Sequence, residues 1–119
     1  PDILVVDQIR NLNVGEKSFV RTLEVAAQGM RNFAKRYKLL AVSITQAGDS
    51  ANGKAILSRG DIDNSNVGIP GASDLMIGIG ASHEQEISGE RTLSFPKQKI
   101  SGNKMPIPVF FNMKTMRVE

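Results

Sequence analysis

The chain has 119 residues, 40% of them hydrophobic and 23% charged, an ordinary balance for one globular unit that excludes collagen-like and disordered classes. It has no cysteine and a single histidine, His83, which excludes a disulfide scaffold, a thiolate zinc centre, a cysteine nucleophile and a multi-histidine metal site. The net charge of +3 is uneven, with +4 in residues 1–60 and −1 in residues 61–119, a bias that permits a nucleic-acid partner without establishing one.

Residues 3–6, Ile-Leu-Val-Val, form a continuous apolar run closed by Asp7, the pattern of a strand covered on both faces of a parallel sheet. The run begins almost at Pro1, so we expect a piece of a longer protein. Between about Lys17 and Lys38, Phe19, Leu23, Ala26, Ala27, Met30, Phe33, Ala34 and Tyr37 recur with the 3.6-residue period of one helix face. Residues 39–45 give a second apolar strand, followed by Gln46. Strand, helix and strand predict a βαβ unit with parallel strands and a right-handed crossover.

Residues 47–73 are dominated by Gly, Asn, Asp and Ser and read mostly as loop. Their length favours a functional or mobile segment, and Pro70 could open a short helical turn. Leu75–Ile79 predicts a third buried strand, parallel to the first two and in the same sheet. Residues 84–90 read as a polar turn. Arg91–Gln98 and Ile107–Asn112 predict an antiparallel hairpin, with Pro106 and Pro108 placing its last strand at a sheet edge. The expected class is therefore α/β: parallel strands, a crossover helix and a C-terminal antiparallel hairpin. No run approaches the ~20 apolar residues of a membrane span, and no signal-peptide pattern occurs, so we expect no membrane partner and a cytoplasmic location.

Several side chains carry possible chemistry. Asp7 ends an apolar parallel strand, the edge where open α/β sheets bind ligands. A carboxylate there can hold the water shell of a magnesium ion that neutralises phosphate charge, although strand-end aspartates also serve turns. Gln46, at the end of the neighbouring strand, could hydrogen-bond a γ-phosphate or an attacking water, or simply line a strand exit. Lys97 and Lys99, two apart on a strand, point to one face. They could reach phosphate oxygens, including those of a neighbouring subunit, or form a solvated edge that discourages aggregation. Lys54 and Arg59 lie in a glycine-rich polar loop that suits nucleic-acid phosphates and equally suits an ordinary loop. The loop has no aromatic residue for base stacking. His83 reads as a surface residue.

The order strand–Asp7, long helix, strand–Gln46, loop, strand, Lys97-Gln98-Lys99 hairpin resembles the second half of the RecA-type ATPase core of DnaB-like hexameric replicative helicases, including phage examples. Asp2-Ile-Leu-Val-Val-Asp7 looks like the Walker B segment, Ala41-Val-Ser-Ile-Thr-Gln46 like the strand with the phosphate-sensing residue, and Pro96-Lys-Gln-Lys99 before Ser-Gly-Asn103 like the family's Lys-Gln-Arg element. The resemblance implies that residues 1–119 are the C-terminal part of a helicase ATPase domain whose ATP and Mg²⁺ are served by Asp7 (metal, through water) and Gln46. Lys97 and Lys99 would act on the adjacent subunit's nucleotide, and Lys54 and Arg59 would face single-stranded DNA. It implies identical subunits in a hexameric ring, with a primase or helicase loader as a further partner, in a phage or prophage replication system. No Gly-Lys-Ser/Thr occurs, so the Walker A loop is expected upstream and residues 1–119 alone are expected not to hydrolyse ATP. Lysine stands at position 99 where the family usually places arginine, without the planar fork of a guanidinium. A RecA-, RadA- or KaiC-like recombinase-type ATPase and a non-catalytic α/β binding module are the alternatives.

Overall fold

A computed structural model describes residues 1–63 and 67–119. Strand β1 (Ile3–Val6) and strand β2 (Leu40–Ser43) pair in parallel, with Ile3 opposite Leu40 and Val6 opposite Ser43. Helix α1 (Phe19–Tyr37) joins them. Its start is capped by Ser18, whose hydroxyl accepts from the Arg21 amide, and its end by Lys38 in the left-handed conformation at φ 53°, a common way for a helix to stop. Leu23, Ala26 and Ala27 are the helix's buried residues. With Ile9, Ile62 and Ile69, the last from the short helix α2 (Gly68–Ala72), they form a small core, flanked by Met30, Leu12 and Met76.

The βαβ unit is as the periodicity predicts, but the third strand is not where the sequence reading puts it. Strand β3 (Leu75–Gly80) does not hydrogen-bond to β2. It opens a second, antiparallel sheet in the order β3-β4-β5-β6, with β4 at Glu90–Gln98, β5 at Ile107–Asn112 and β6 at Arg117–Val118. A continuous apolar run identifies a strand but says nothing of its neighbour. The expected hairpin is present as β4–β5, yet β5 is not the edge. The two-residue strand β6 pairs with Phe111 and Asn112, beyond Pro108, so the proline's missing N–H costs no ladder bond there. The expected turn at 84–90 contains helix α3 (His83–Ser88), opened by a reciprocal Ser82–Gln85 capping box and closed by Gly89 at φ 86°.

The expected burial of the strands is only half met. Ile3, Val5, Leu40 and Val42 are exposed, and the parallel register puts them on one face. Leu75, Ile77 and Ile79, which alternate along β3, are exposed as well. The opposite face of β3 carries Gly78 and Gly80 because the segment 54–58 lies against it. A Cβ on Gly78 would stand 2.8 Å from Ser94 Oγ and 2.9 Å from Leu57 Cβ, and one on Gly80 would overlap the carbonyls of Lys54 and Ala55. The radius of gyration, 15.2 Å, exceeds the roughly 13.5 Å of a compact chain of this length, as suits a layered fold with one layer open. Among the described residues no helix is long and apolar enough to cross a membrane.

Candidate functional site

Asp7 and Gln46 leave the sheet at the same edge, because the strands that carry them are parallel and adjacent. Counting on from Val6 opposite Ser43, Gln46 lies two residues beyond the level of Asp7. The edge is tied by backbone bonds from Ile44 N to Val6 O (3.2 Å) and from Ile9 N to Ile44 O (3.1 Å). Arg10 braces it, donating to Asp63 Oδ2 at 3.0 Å with its guanidinium 5.5 Å above the Phe19 ring. Asp63 N in turn donates to Gln46 O at 3.1 Å. Both site side chains are exposed, and neither has a hydrogen-bond or ion-pair partner among the described residues. The Asp7–Gln8 peptide is cis.

No cluster of three or more potential metal ligands exists among the described residues. That suits magnesium bound in the usual way at phosphates, through one carboxylate, waters and the substrate's own oxygens. Asp7, solvated and uncommitted at a strand end, fits that role. It does not fit a metal caged by protein alone.

The segment after Gln46 is built rather than loose. Its neck is closed by an antiparallel bridge between Ala47 and Ile62 and by Gly48 N donating to Asp61 O at 2.8 Å. Its centre is Asp61, 3% exposed. Its carboxylate accepts from Lys54 Nζ (2.7 Å), Ser58 N (2.7 Å), Ser58 Oγ (2.8 Å) and Ser50 Oγ (3.0 Å). The Lys54 bond first, then those from Ser58, hold this carboxyl well below the ordinary carboxylate range. Lys54 is therefore engaged by Asp61, though its side chain stays 49% exposed. The sequence reading missed Asp61. The available signal was the Ser58-x-x-Asp61 spacing of a capping box. Residues 64–66, within the loop expected to face DNA, lie outside the described residues.

Because Asp61 is held below the ordinary aspartate value of 3.8, its contribution is fully present above that pH and is lost as the pH falls below it. Asp61→Asn should lower hydrogen-exchange protection of the Ser58 and Gly48 amides at least about tenfold at pH 7. The gap from the parent protein should narrow as the pH drops below about 4. A gap independent of pH would mean that the carboxylate charge does not organise this loop.

The lysines occupy a different place. Lys97 is 8% exposed, and its Nζ donates to Pro70 O in helix α2. This burial corrects the solvated-edge reading of Lys97. The parity of the strand is as read, but α2 covers that face. Burial pushes the Lys97 ammonium below the ordinary lysine range, and Lys99 and Arg59 push it the same way. Lys99, 53% exposed, has Nζ 3.5 Å from Asp74 Oδ1. Arg31 of α1 donates to the same oxygen at 2.9 Å and to Ala72 O at 2.7 Å, and its bond to Asp74 is the main cause that lowers that carboxyl's pKa. Arg59 Nε donates to Pro96 O at 3.2 Å, one residue before Lys97.

These cations do not converge with Asp7. Phe19, the first residue of α1, is tied through Arg10 and Asp63 to the Gln46 edge. Arg31 stands about 18 Å along the helix from there at 1.5 Å per residue. The Asp74–Lys99 pair that Arg31 holds thus lies toward the opposite edge of the parallel sheet.

Parallel strands with a crossover helix, a strand-end carboxylate beside a strand-end amide and an appended antiparallel curled sheet make up part of a RecA-like ATPase domain of the helicase kind. The chain is similar in fold to a solved ATPase domain of a DnaB-like replicative helicase, with a TM-score of 0.82 at 10% identity, covering 98% of this chain and 43% of that one. It is also similar to a second DnaB-like replicative helicase, one characterised together with its interactions with primase, with a TM-score of 0.75 at 11% identity, covering 93% of this chain and 28% of that one. The chain thus spans less than half the length of either. No family model and no curated protein matches the sequence.

Proposed function

We propose that residues 1–119 are the C-terminal part of the ATPase domain of a hexameric DnaB-like replicative helicase, which couples ATP hydrolysis to translocation on single-stranded DNA and to duplex unwinding. The observation that carries this reading is the agreement in fold over 98% of the chain with a helicase ATPase domain, combined with two uncommitted polar side chains, Asp7 and Gln46, at one end of adjacent parallel strands.

In this reading Asp7 orients the water shell of Mg²⁺ bound to the β- and γ-phosphates, and the ion supplies charge neutralisation during phosphoryl transfer. The Gln46 amide hydrogen-bonds the γ-phosphate or the attacking water. Through the Gln46 carbonyl and Asp63 it is continuous with the neck of the following loop, so loss of the γ-phosphate is transmitted there. Lys99, on the opposite side of the fold, serves the nucleotide of an adjacent identical subunit, and Lys97 fixes the strand end from which Lys99 projects. Lys54, half-exposed beside Asp61, faces single-stranded DNA. The uncovered faces of Ile3, Val5, Leu40 and Val42 and of Leu75, Ile77 and Ile79 are packed by the segment that carries the phosphate-cradling glycine loop. A primase is the proposed further partner.

The test is ATP turnover by the full-length protein with and without single-stranded DNA, together with unwinding of a forked duplex and a parallel assay of residues 1–119. We expect DNA-stimulated turnover and unwinding from the full-length protein and none from residues 1–119. Turnover without unwinding would select a recombinase-type ATPase. Absence of turnover would leave a binding module.

A further inference from the structure

Arg31, Arg59, Lys97 and Lys99 gather around one carboxylate, Asp74. Lys97 registers the field of the other three cations and of Asp74. Three of these cations are committed. Arg31 holds Asp74 and Ala72 O, Lys97 holds Pro70 O, and Lys99 shares Asp74. Arg59 differs. Its Nε is fixed to Pro96 O, it is exposed, and it has no carboxylate partner among the described residues. An excess of positive charge at one place, with one guanidinium free at its planar end, is an arrangement that binds a multiply charged anion.

We infer that Arg59, alongside Lys99, contacts the polyphosphate of a nucleotide held by the adjacent subunit. This rests on the reading of the chain as part of a ring ATPase. The guanidinium is preorganised rather than carried on a free loop. The turn at Arg59–Asp61 starts with the reciprocal Ser58–Asp61 capping box, and strand β4 holds its Nε. Beside it a cleft of about 550 Å³ is lined by Arg59, Lys104, Phe95 and Pro96, open enough for phosphate groups to enter. Arg59 also has what Lys99 lacks, the bidentate fork that matches the equatorial oxygens of a transferring phosphoryl group. Single-stranded nucleic acid shares the phosphate chemistry, but its backbone is followed by a groove of charges spread along its length, whereas these four cations converge on one point.

The experiment uses the full-length protein with Arg59→Ala, Arg59→Lys and, as reference, Asp7→Ala. Three quantities are read: ATP turnover at saturating DNA, affinity for a fluorescent non-hydrolysable triphosphate and for the diphosphate, and affinity for an oligothymidylate. Arg59→Ala should lower turnover tenfold or more. It should weaken the triphosphate analogue at least fivefold and leave the diphosphate and oligothymidylate within twofold. Arg59→Lys should recover only part of the turnover, and subunits with Arg59→Ala mixed with Asp7→Ala subunits should regain some. Should Arg59→Ala not fold for want of the Pro96 bond, Arg59→Lys is judged on the same split between triphosphate and diphosphate. Turnover within twofold of the parent overturns the inference. So does an oligothymidylate affinity weakened fivefold or more with turnover intact at saturating DNA, which would assign Arg59 to the strand. Full turnover by Asp7→Ala would instead overturn the ATPase reading itself.

Discussion

Asp7→Asn in the full-length protein should reduce ATP turnover at saturating Mg²⁺ and ATP by about a hundredfold or more, roughly 2.7 kcal/mol in the barrier. The substitution keeps the shape of the side chain and removes its charge. Asp7 is exposed and has no partner among the described residues, so folding should be nearly unaffected, within about 0.5 kcal/mol. That combination of a large kinetic effect and a negligible stability effect separates a metal-orienting carboxylate from one that only shapes the strand exit. A turn-forming aspartate predicts the reverse. Raising Mg²⁺ should recover part of the loss, since the asparagine amide can still accept a water-mediated contact. Turnover within threefold of the parent would remove Asp7 from the phosphate site.

How much of this was legible in the sequence varies by element, for physical reasons. Strand β1, helix α1 and strand β2 follow from periodicity, and their adjacency follows from the geometry of a crossover, so the shared edge of Asp7 and Gln46 was readable in advance. The neighbour of β3 was not. Leu75, Ile77 and Ile79 say only that one face is apolar, while Gly78 and Gly80 record the close approach of residues 54–58, a long-range fact with no local pattern. Asp61 and helix α3 were legible in principle, from Ser58-x-x-Asp61 and Ser82-x-x-Gln85, but polar composition hid both within apparent loop. Lys97 shows the limit of strand parity. It fixes which face a side chain takes, not that helix α2 lies across that face with Pro70 O in reach.

Burial also decides which lysine can be tested cleanly. Lys97→Ala would leave Pro70 O without its partner and open a gap under α2, so a loss of activity would report folding. Lys99 is 53% exposed, and its pair with Asp74 at 3.5 Å shares that carboxylate with Arg31. A surface pair of this kind contributes little to stability, and Arg31 continues to hold Asp74 without it. Lys99→Ala should therefore fold normally. We expect it to depress DNA-stimulated ATP turnover roughly tenfold or more, at least about 1.4 kcal/mol. That is less than the 10³–10⁵ typical of an arginine acting in trans, because an ammonium is a point charge without a fork. The distance of Lys99 from the Asp7 edge makes a sharper demand than loss alone. An interface between a Lys99→Ala subunit and an Asp7→Ala subunit can pair an intact Asp7 with an intact Lys99. Rings mixed from the two inactive variants should then turn over ATP at mixing ratios where neither does by itself. If the single variant is unimpaired, Lys99 is a solvated strand-end residue. If it is impaired and mixing restores nothing, the lysine serves its own subunit or holds the ring together.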